Sequence, residues 1–187
     1  MPKPRLLIAA GVSLMLSHQV WAELPAGRQS FESCTLITSE YLTAIQLLGR
    51  GFTTDILLQT LPDLSPESAE RVKALGELIE RNGLEQTYAQ INAEYVNCAT
   101  SVYQEHGLPR QGSREAHFHF CAGENKVRFE ILQAAILEAP QAEVRRQLAP
   151  LHQPVVETLY ELKASEGITA VYDGLASELK RCVNGTF

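Results

Sequence analysis

The chain lacks the short motifs that announce common chemistries. It has no GxSxG, no P-loop, no HExxH and no GxGxxG opening a helix after a strand, so nothing points to a known hydrolase, nucleotide or dinucleotide site. None of its 4 cysteines sits in a CxxC or CxxH spacing, which removes the usual zinc-site signature. No segment combines sustained alternation with β-branched enrichment, so a sheet is not expected. Basic residues are outnumbered, 16 against 22 acidic, for a net charge of −6. That field opposes binding to nucleic acid or anionic lipid. Methionine and tryptophan are scarcer still: Met1, Met15 and Trp21 are all there are, and all lie within the first 22 residues.

Those 22 residues read as a leader. Lys3 and Arg5 form a basic start, Leu6 to Leu16 an apolar stretch, and Val20-Trp21-Ala22 a small-residue cleavage site, which together describe a secretory signal peptide cut after Ala22. The apolar stretch is too short to span a bilayer. No cysteine follows it closely, which argues against a lipid anchor. The mature chain is then expected to be soluble and either periplasmic or secreted. Cleavage removes two basic residues and no acidic one, taking the charge to −8. About 165 residues remain, enough for one domain or two small ones.

What is present is an internal repeat. Val72 to Cys98 aligns without a gap on Val156 to Cys182, and 8 of the 27 positions coincide, where unrelated chains would share roughly two. Among the matches are Glu77/Glu161, Gly83/Gly167, Tyr88/Tyr172, Glu94/Glu178 and Cys98/Cys182. Cys34 and Cys121 open the two stretches, 64 and 61 residues before the closing cysteines. An even cysteine count in an exported chain implies disulfides. Four cysteines allow three pairings; the duplication favours Cys34–Cys98 with Cys121–Cys182, and exchange between halves would give Cys34–Cys182 with Cys98–Cys121.

Periodicity makes the chain all-α. Phe31, Cys34, Ile37, Tyr41, Ile45 and Leu48 recur at steps of three and four after the capping residue Ser30, and Gly49 and Gly51 end that helix. A short helix over Thr54–Leu61 follows. Ser65-Pro66-Glu67 starts a third, which stops at Asn82-Gly83 in a left-handed cap. A fourth places Leu84, Tyr88, Ile91, Tyr95 and Cys98 on one face. In the second copy Leu132, Ala135 and Ile136 lie on the first helix and Pro140 breaks it. Gln141–Leu148 is the short helix, Pro154 opens the third, and Ile168, Tyr172, Leu175, Leu179 and Cys182 close the scheme. The expected architecture is two tandem four-helix bundles, each stapled by a disulfide: residues 23–103, a linker over 104–116, and residues 117–187. The linker, with Gly107, Pro109 and Gly112, is the place for a single binding surface; a pseudo-symmetric groove between the copies is the alternative.

A few side chains stand out as candidates for binding. His117-Phe118-His119-Phe120-Cys121 alternates, so an extended segment would point His117 and His119 the same way, with His106 nearby. No third metal ligand has a diagnostic spacing, so no metal or cofactor is expected, and Phe118 and Phe120 read as cover for the second bundle. Glu94 and Glu178 border the buried stripe; a pair of acids could serve as general acid and base, but a hydrogen bond to a helix end or to Tyr88 and Tyr172 is the simpler expectation. Glu77 and Glu161 read as solvated surface acids.

In cysteine placement and helical pattern, both halves resemble the small disulfide-stapled helical proteins exported by many Gram-negative bacteria. Some members of that group are immunity proteins that block cell-wall amidases, and some loosely similar ones are acid-activated periplasmic chaperones. The present chain departs from the pattern in carrying two copies, and it shows neither short acidic recognition loops nor a charged tail. The resemblance carries over no functional residue. The leader, the stapled duplicated scaffold, the missing catalytic signature and the spare loop together lead to the expectation of a non-enzymatic protein that binds another protein in the periplasm, as an inhibitor or accessory factor, with a chaperone as the alternative and an enzyme using Glu94 and Glu178 as the third reading.

Overall fold

The computed structural model describes residues 29–61 and 64–185. The expected leader lies outside them. Among the described residues the chain is all-helical: α1 (Phe31–Gly49), α2 (Thr54–Thr60), α3 (Pro66–Asn82), α4 (Leu84–His106), α5 (Arg114–Ile136), α6 (Gln141–Gln147), a 3-10 turn (Pro150–His152), α7 (Gln153–Glu166) and α8 (Ile168–Val183). No helix among them is long and apolar enough to cross a membrane.

Local chemistry sets the helix ends. Ser30 Oγ accepts from the Ser33 amide at 3.0 Å while Ser33 Oγ accepts from the Ser30 amide at 2.9 Å, a reciprocal box that satisfies two otherwise unpaired donors. Ser65 caps α3 in the same manner, accepting from Ser68 N at 3.1 Å, with Pro66 in the first turn. Between α3 and α4 the chain turns on Gly83 (φ 82°, ψ 164°), and between α7 and α8 on Gly167 (φ 87°, ψ 175°). Both fall in a region essentially reserved for glycine, with ψ extended rather than in the left-handed helical well expected at Gly83. The end of α5 also differs from expectation. Pro140 does not interrupt a helix. The stop comes earlier, at Glu138 (φ 58°), with Ala139 N reaching back to Ala134 O at 2.9 Å, the six-to-one closure of a Schellman turn.

The long helices carry the core. The bridges are Cys34–Cys98, tying α1 to α4, and Cys121–Cys182, tying α5 to α8, with Cα atoms 5.8 Å apart in each. The exchanged pairing is thereby excluded. Helix α3 packs on α1 and α4, α7 packs on α5 and α8, and the short helices α2 and α6 lie against α3 and α7. Helices α1 and α4 also pack directly on α5 and α8, and the buried apolar side chains of both halves form one cluster. At the junction the matched residues Tyr88 and Tyr172 stack with ring centroids 5.2 Å apart and planes 9° from parallel.

Several polar groups inside this core are paired, as most buried polar atoms are. Asn125 Nδ2 donates to Asn92 Oδ1 at 3.0 Å across α4 and α5, and Asn92 Nδ2 donates to Tyr88 O at 2.9 Å. Gln46 on α1 donates to Asp173 O (3.1 Å) and Ser177 Oγ (3.2 Å) on α8, and its carbonyl accepts from Lys180. Tyr88 donates to Asp173 Oδ1 at 3.4 Å, and Arg50 reaches Asp173 Oδ2 at 3.4 Å.

Candidate functional site

Two regions gather the candidate side chains: the end of the molecule where α4 passes into α5, and the flanks of the two disulfides.

At the α4–α5 end the segment His117 to Cys121 is helical, not extended as its alternation implies. Ser113 accepts from Ala116 N at 3.2 Å and Glu115 stands in the first turn, so capping starts the helix at Arg114 and overrides the local two-residue pattern. Helical spacing then sorts the side chains differently. Phe118 points inward and is 1% exposed, Phe120 points outward and is 60% exposed, and His117 shares a face with Cys121 rather than with His119. His117 Nε2 is 2.7 Å from the Cys182 carbonyl oxygen, a contact that needs the proton on Nε2. It also lies 3.7 Å from Cys121 Sγ. Among the described residues, the one cluster of three metal-ligating groups is His117, Cys121 and Cys182, and both sulfurs are spent in the bridge.

His119 sits elsewhere, between Phe31 (ring centroids 4.9 Å) and Tyr103 (5.9 Å, planes 6° apart). His106, the last residue of α4, is exposed, with Nε2 3.7 Å from the Glu105 carboxylate. The histidines therefore share one end of the protein without converging on a point. In the same stretch of chain Tyr103, Leu108 and Phe120 are 45%, 70% and 60% exposed.

The disulfide flanks hold the carboxylates. A cavity of about 220 Å³ opens between α1, α3 and α4, walled by the Cys34–Cys98 bridge, Ile37, Tyr41 and Leu78, with Arg81 and Glu94 also lining it. A second cavity, about 300 Å³, lies between α5 and α8 beside Cys121–Cys182 and is lined by Glu124, Arg128, Glu178 and Arg181. Glu94 and Glu178 thus line different cavities. Neither bonds the matched tyrosines: Tyr88 finds Asp173 instead, and Glu178 pairs with Arg181. Each glutamate follows its tyrosine by six residues, which turns it to another side of the helix. Glu77 and Glu161 are exposed as expected.

Counting from the first cysteine of each bridge, Ile37, Thr38 and Tyr41 correspond in position to Glu124, Asn125 and Arg128. The first set leaves its cavity largely apolar. Burial raises the Tyr41 phenol above its usual range, an effect eased by Arg71 and reinforced by Glu40 and Glu94; desolvation likewise pushes Tyr95 up to about 12. In the second set Glu124 bonds His152 at 3.0 Å and Arg128 at 2.9 Å. Burial works to raise the Glu124 pKa, but the His152 hydrogen bond and the Arg128 charge outweigh it, and the net direction is down.

The sequence carries no local signal for several of these contacts. Glu40 and Arg71 form a 2.7 Å ion pair between α1 and α3, and Glu124 meets His152 across 28 residues. Only the folded packing brings them together. Comparison with protein-family models, with curated proteins and with solved structures finds no match to the chain.

Proposed function

We propose that this is an exported, non-enzymatic interaction protein, a duplicated disulfide-stapled helical module that binds another protein in the periplasm or outside the cell. The observation that carries this reading is the α4–α5 end, where Tyr103 stacks on His119 and where Tyr103 at the end of α4, Leu108 in the connection and Phe120 early in α5 are all exposed. Exposed aromatic and aliphatic side chains grouped on a rigid frame are the composition of a protein-binding patch. The frame is fixed there by the Cys121–Cys182 bridge and by the cap at Ser113. Two disulfides are compatible with an oxidising compartment, and the repeated order of long, short, intermediate and long helices supports the duplication.

The test pairs the native mature chain with a Tyr103→Ser/Leu108→Ser/Phe120→Ser variant. Each is immobilised, exposed to an envelope extract of the producing cell, and then titrated with whatever partner is recovered. A single partner should bind stoichiometrically, and the variant should bind it at least about tenfold more weakly while retaining the native circular dichroism spectrum. Equal binding by the variant, or no partner at all, overturns the assignment. Non-stoichiometric capture of many unfolded proteins would point to the chaperone alternative.

A further inference from the structure

We propose that the cavity between α1, α3 and α4 is a binding site for a small organic cation, an ammonium ion carrying an aromatic or short aliphatic body. This is independent of the protein-binding surface at the α4–α5 end. The cavity walls include Ile37, Leu75, Leu78, Ile91 and the Cys34–Cys98 bridge, and such a surface takes an apolar group out of water without asking for hydrogen bonds. At about 220 Å³ it is larger than the ~150 Å³ apolar cavity that accepts benzene. One ring with a short arm fits that volume.

The charge of the ligand follows from the ion pairs around the cavity. Arg81, on its lining, has its guanidinium 3.5 Å from Glu77, and Arg71, next to Tyr41, is 2.7 Å from Glu40. Each nearby cation already has an acid. Glu94 lines the same cavity and is exposed, with no ion-pair partner among the described residues. The surplus charge is therefore one carboxylate at the edge of an apolar space. An ammonium group placed there gains a charge-assisted hydrogen bond, and the half-buried Tyr41 ring offers it an aromatic face as well. A carboxylate ligand would meet repulsion at the same point.

The other half of the molecule supplies an internal control. Beside Cys121–Cys182 the position matching Glu94 is Glu178, which is already paired with Arg181. The positions matching Ile37 and Tyr41 are Glu124 and Arg128, paired with each other and with His152. That cavity keeps apolar lining from Phe120, Leu179 and the bridge, but its charged residues are already paired with one another and no carboxylate is left over.

Isothermal titration of the full mature chain with phenethylamine, phenethyl alcohol and hydrocinnamate tests the site, since the three share a body and differ in charge. The amine should bind tightest and the carboxylate weakest. Glu94→Gln should weaken the amine roughly tenfold or more and leave the alcohol unchanged, while Glu178→Gln should alter neither. Ala74→Trp, which places a ring in the cavity from an exposed position on α3, should abolish binding of all three. The proposal is overturned if the amine binds no better than the alcohol, if Glu94→Gln and Glu178→Gln weaken it equally, if Ala74→Trp binds normally, or if none of the three binds.

Discussion

The two disulfides hold their helices at the same spacing, yet the side chains beside them differ in charge. Cα atoms stand 5.8 Å apart in both bridges, and both halves turn into their closing helix on a glycine with nearly the same dihedral angles. One and two turns from the first cysteine, however, Ile37 and Tyr41 line a largely apolar cavity where Glu124 and Arg128 form an ion pair. Thr38 bonds only the Cys34 carbonyl of its own helix at 2.8 Å, whereas its counterpart Asn125 reaches across to Asn92. The difference separates two kinds of constraint. Covalent and backbone geometry fixes where the helices lie, and the side chains on the flank can then serve packing in one half and binding in the other.

Removing the bridges should have the largest effect, and it tests the part the halves share. Their loops span 64 and 61 residues, so the chain-entropy model gives each about 4 kcal/mol. Cys34→Ala/Cys98→Ala and Cys121→Ala/Cys182→Ala should lower stability by nearly equal amounts in urea unfolding. A difference beyond about 1 kcal/mol, outside what near-equal loops allow, would mean that packing around the bridges, not loop closure, dominates.

A smaller effect separates the flanks. With its folded pKa held below the unfolded value by His152 and Arg128, Glu124 stabilises the protein as a carboxylate. That contribution is complete above the unfolded pKa of about 4.3 and is lost as pH falls through the lower folded value. Glu124→Gln should therefore cost about 1 kcal/mol at neutral pH, and the gap to the native chain should close in acid. Glu94→Gln, with no ion pair to lose, should stay within about 0.5 kcal/mol throughout. Urea midpoints measured from pH 7 down to acid would show both trends, and a constant gap for Glu124→Gln would refute the assignment.

The sequence makes the helices legible because their signals are local. Ser30, Ser65 and the spacing of Cys34, Tyr41 and Ile45 state where a helix starts and which face it buries, and the preferred cysteine pairing follows from duplication alone. The segment His117 to Cys121 is short enough for a two-residue alternation to arise by chance inside a helix, and the cap at Ser113, four residues upstream, decides its conformation. The same confusion of proximity with direction affects Glu94 and Glu178: both lie beside the stripe, but on a face that looks into separate cavities. The partners that define those cavities are hard to read for a different reason. Arg71 with Glu40 and His152 with Glu124 are joined through tertiary packing between helices distant in sequence, and no spacing rule encodes that.

An effect of similar, modest size lies where the halves are identical. Tyr88 and Tyr172 occupy matched positions and stack on each other, yet their hydroxyls face different groups: Tyr88 an Asp173 carboxylate, which together with burial raises its pKa, and Tyr172 the Gln133 side chain. If the rings act as one contact joining the halves, Tyr88→Leu and Tyr172→Leu should be coupled in a double-mutant cycle by about 0.5–1.5 kcal/mol, the usual worth of an aromatic pair beyond its buried area. Additive losses would mean that each ring is held by its own half. The stack would then be a consequence of the junction, whose cohesion would rest on the shared apolar core together with the Asn92–Asn125 bond and the hydrogen bonds Gln46 makes to α8.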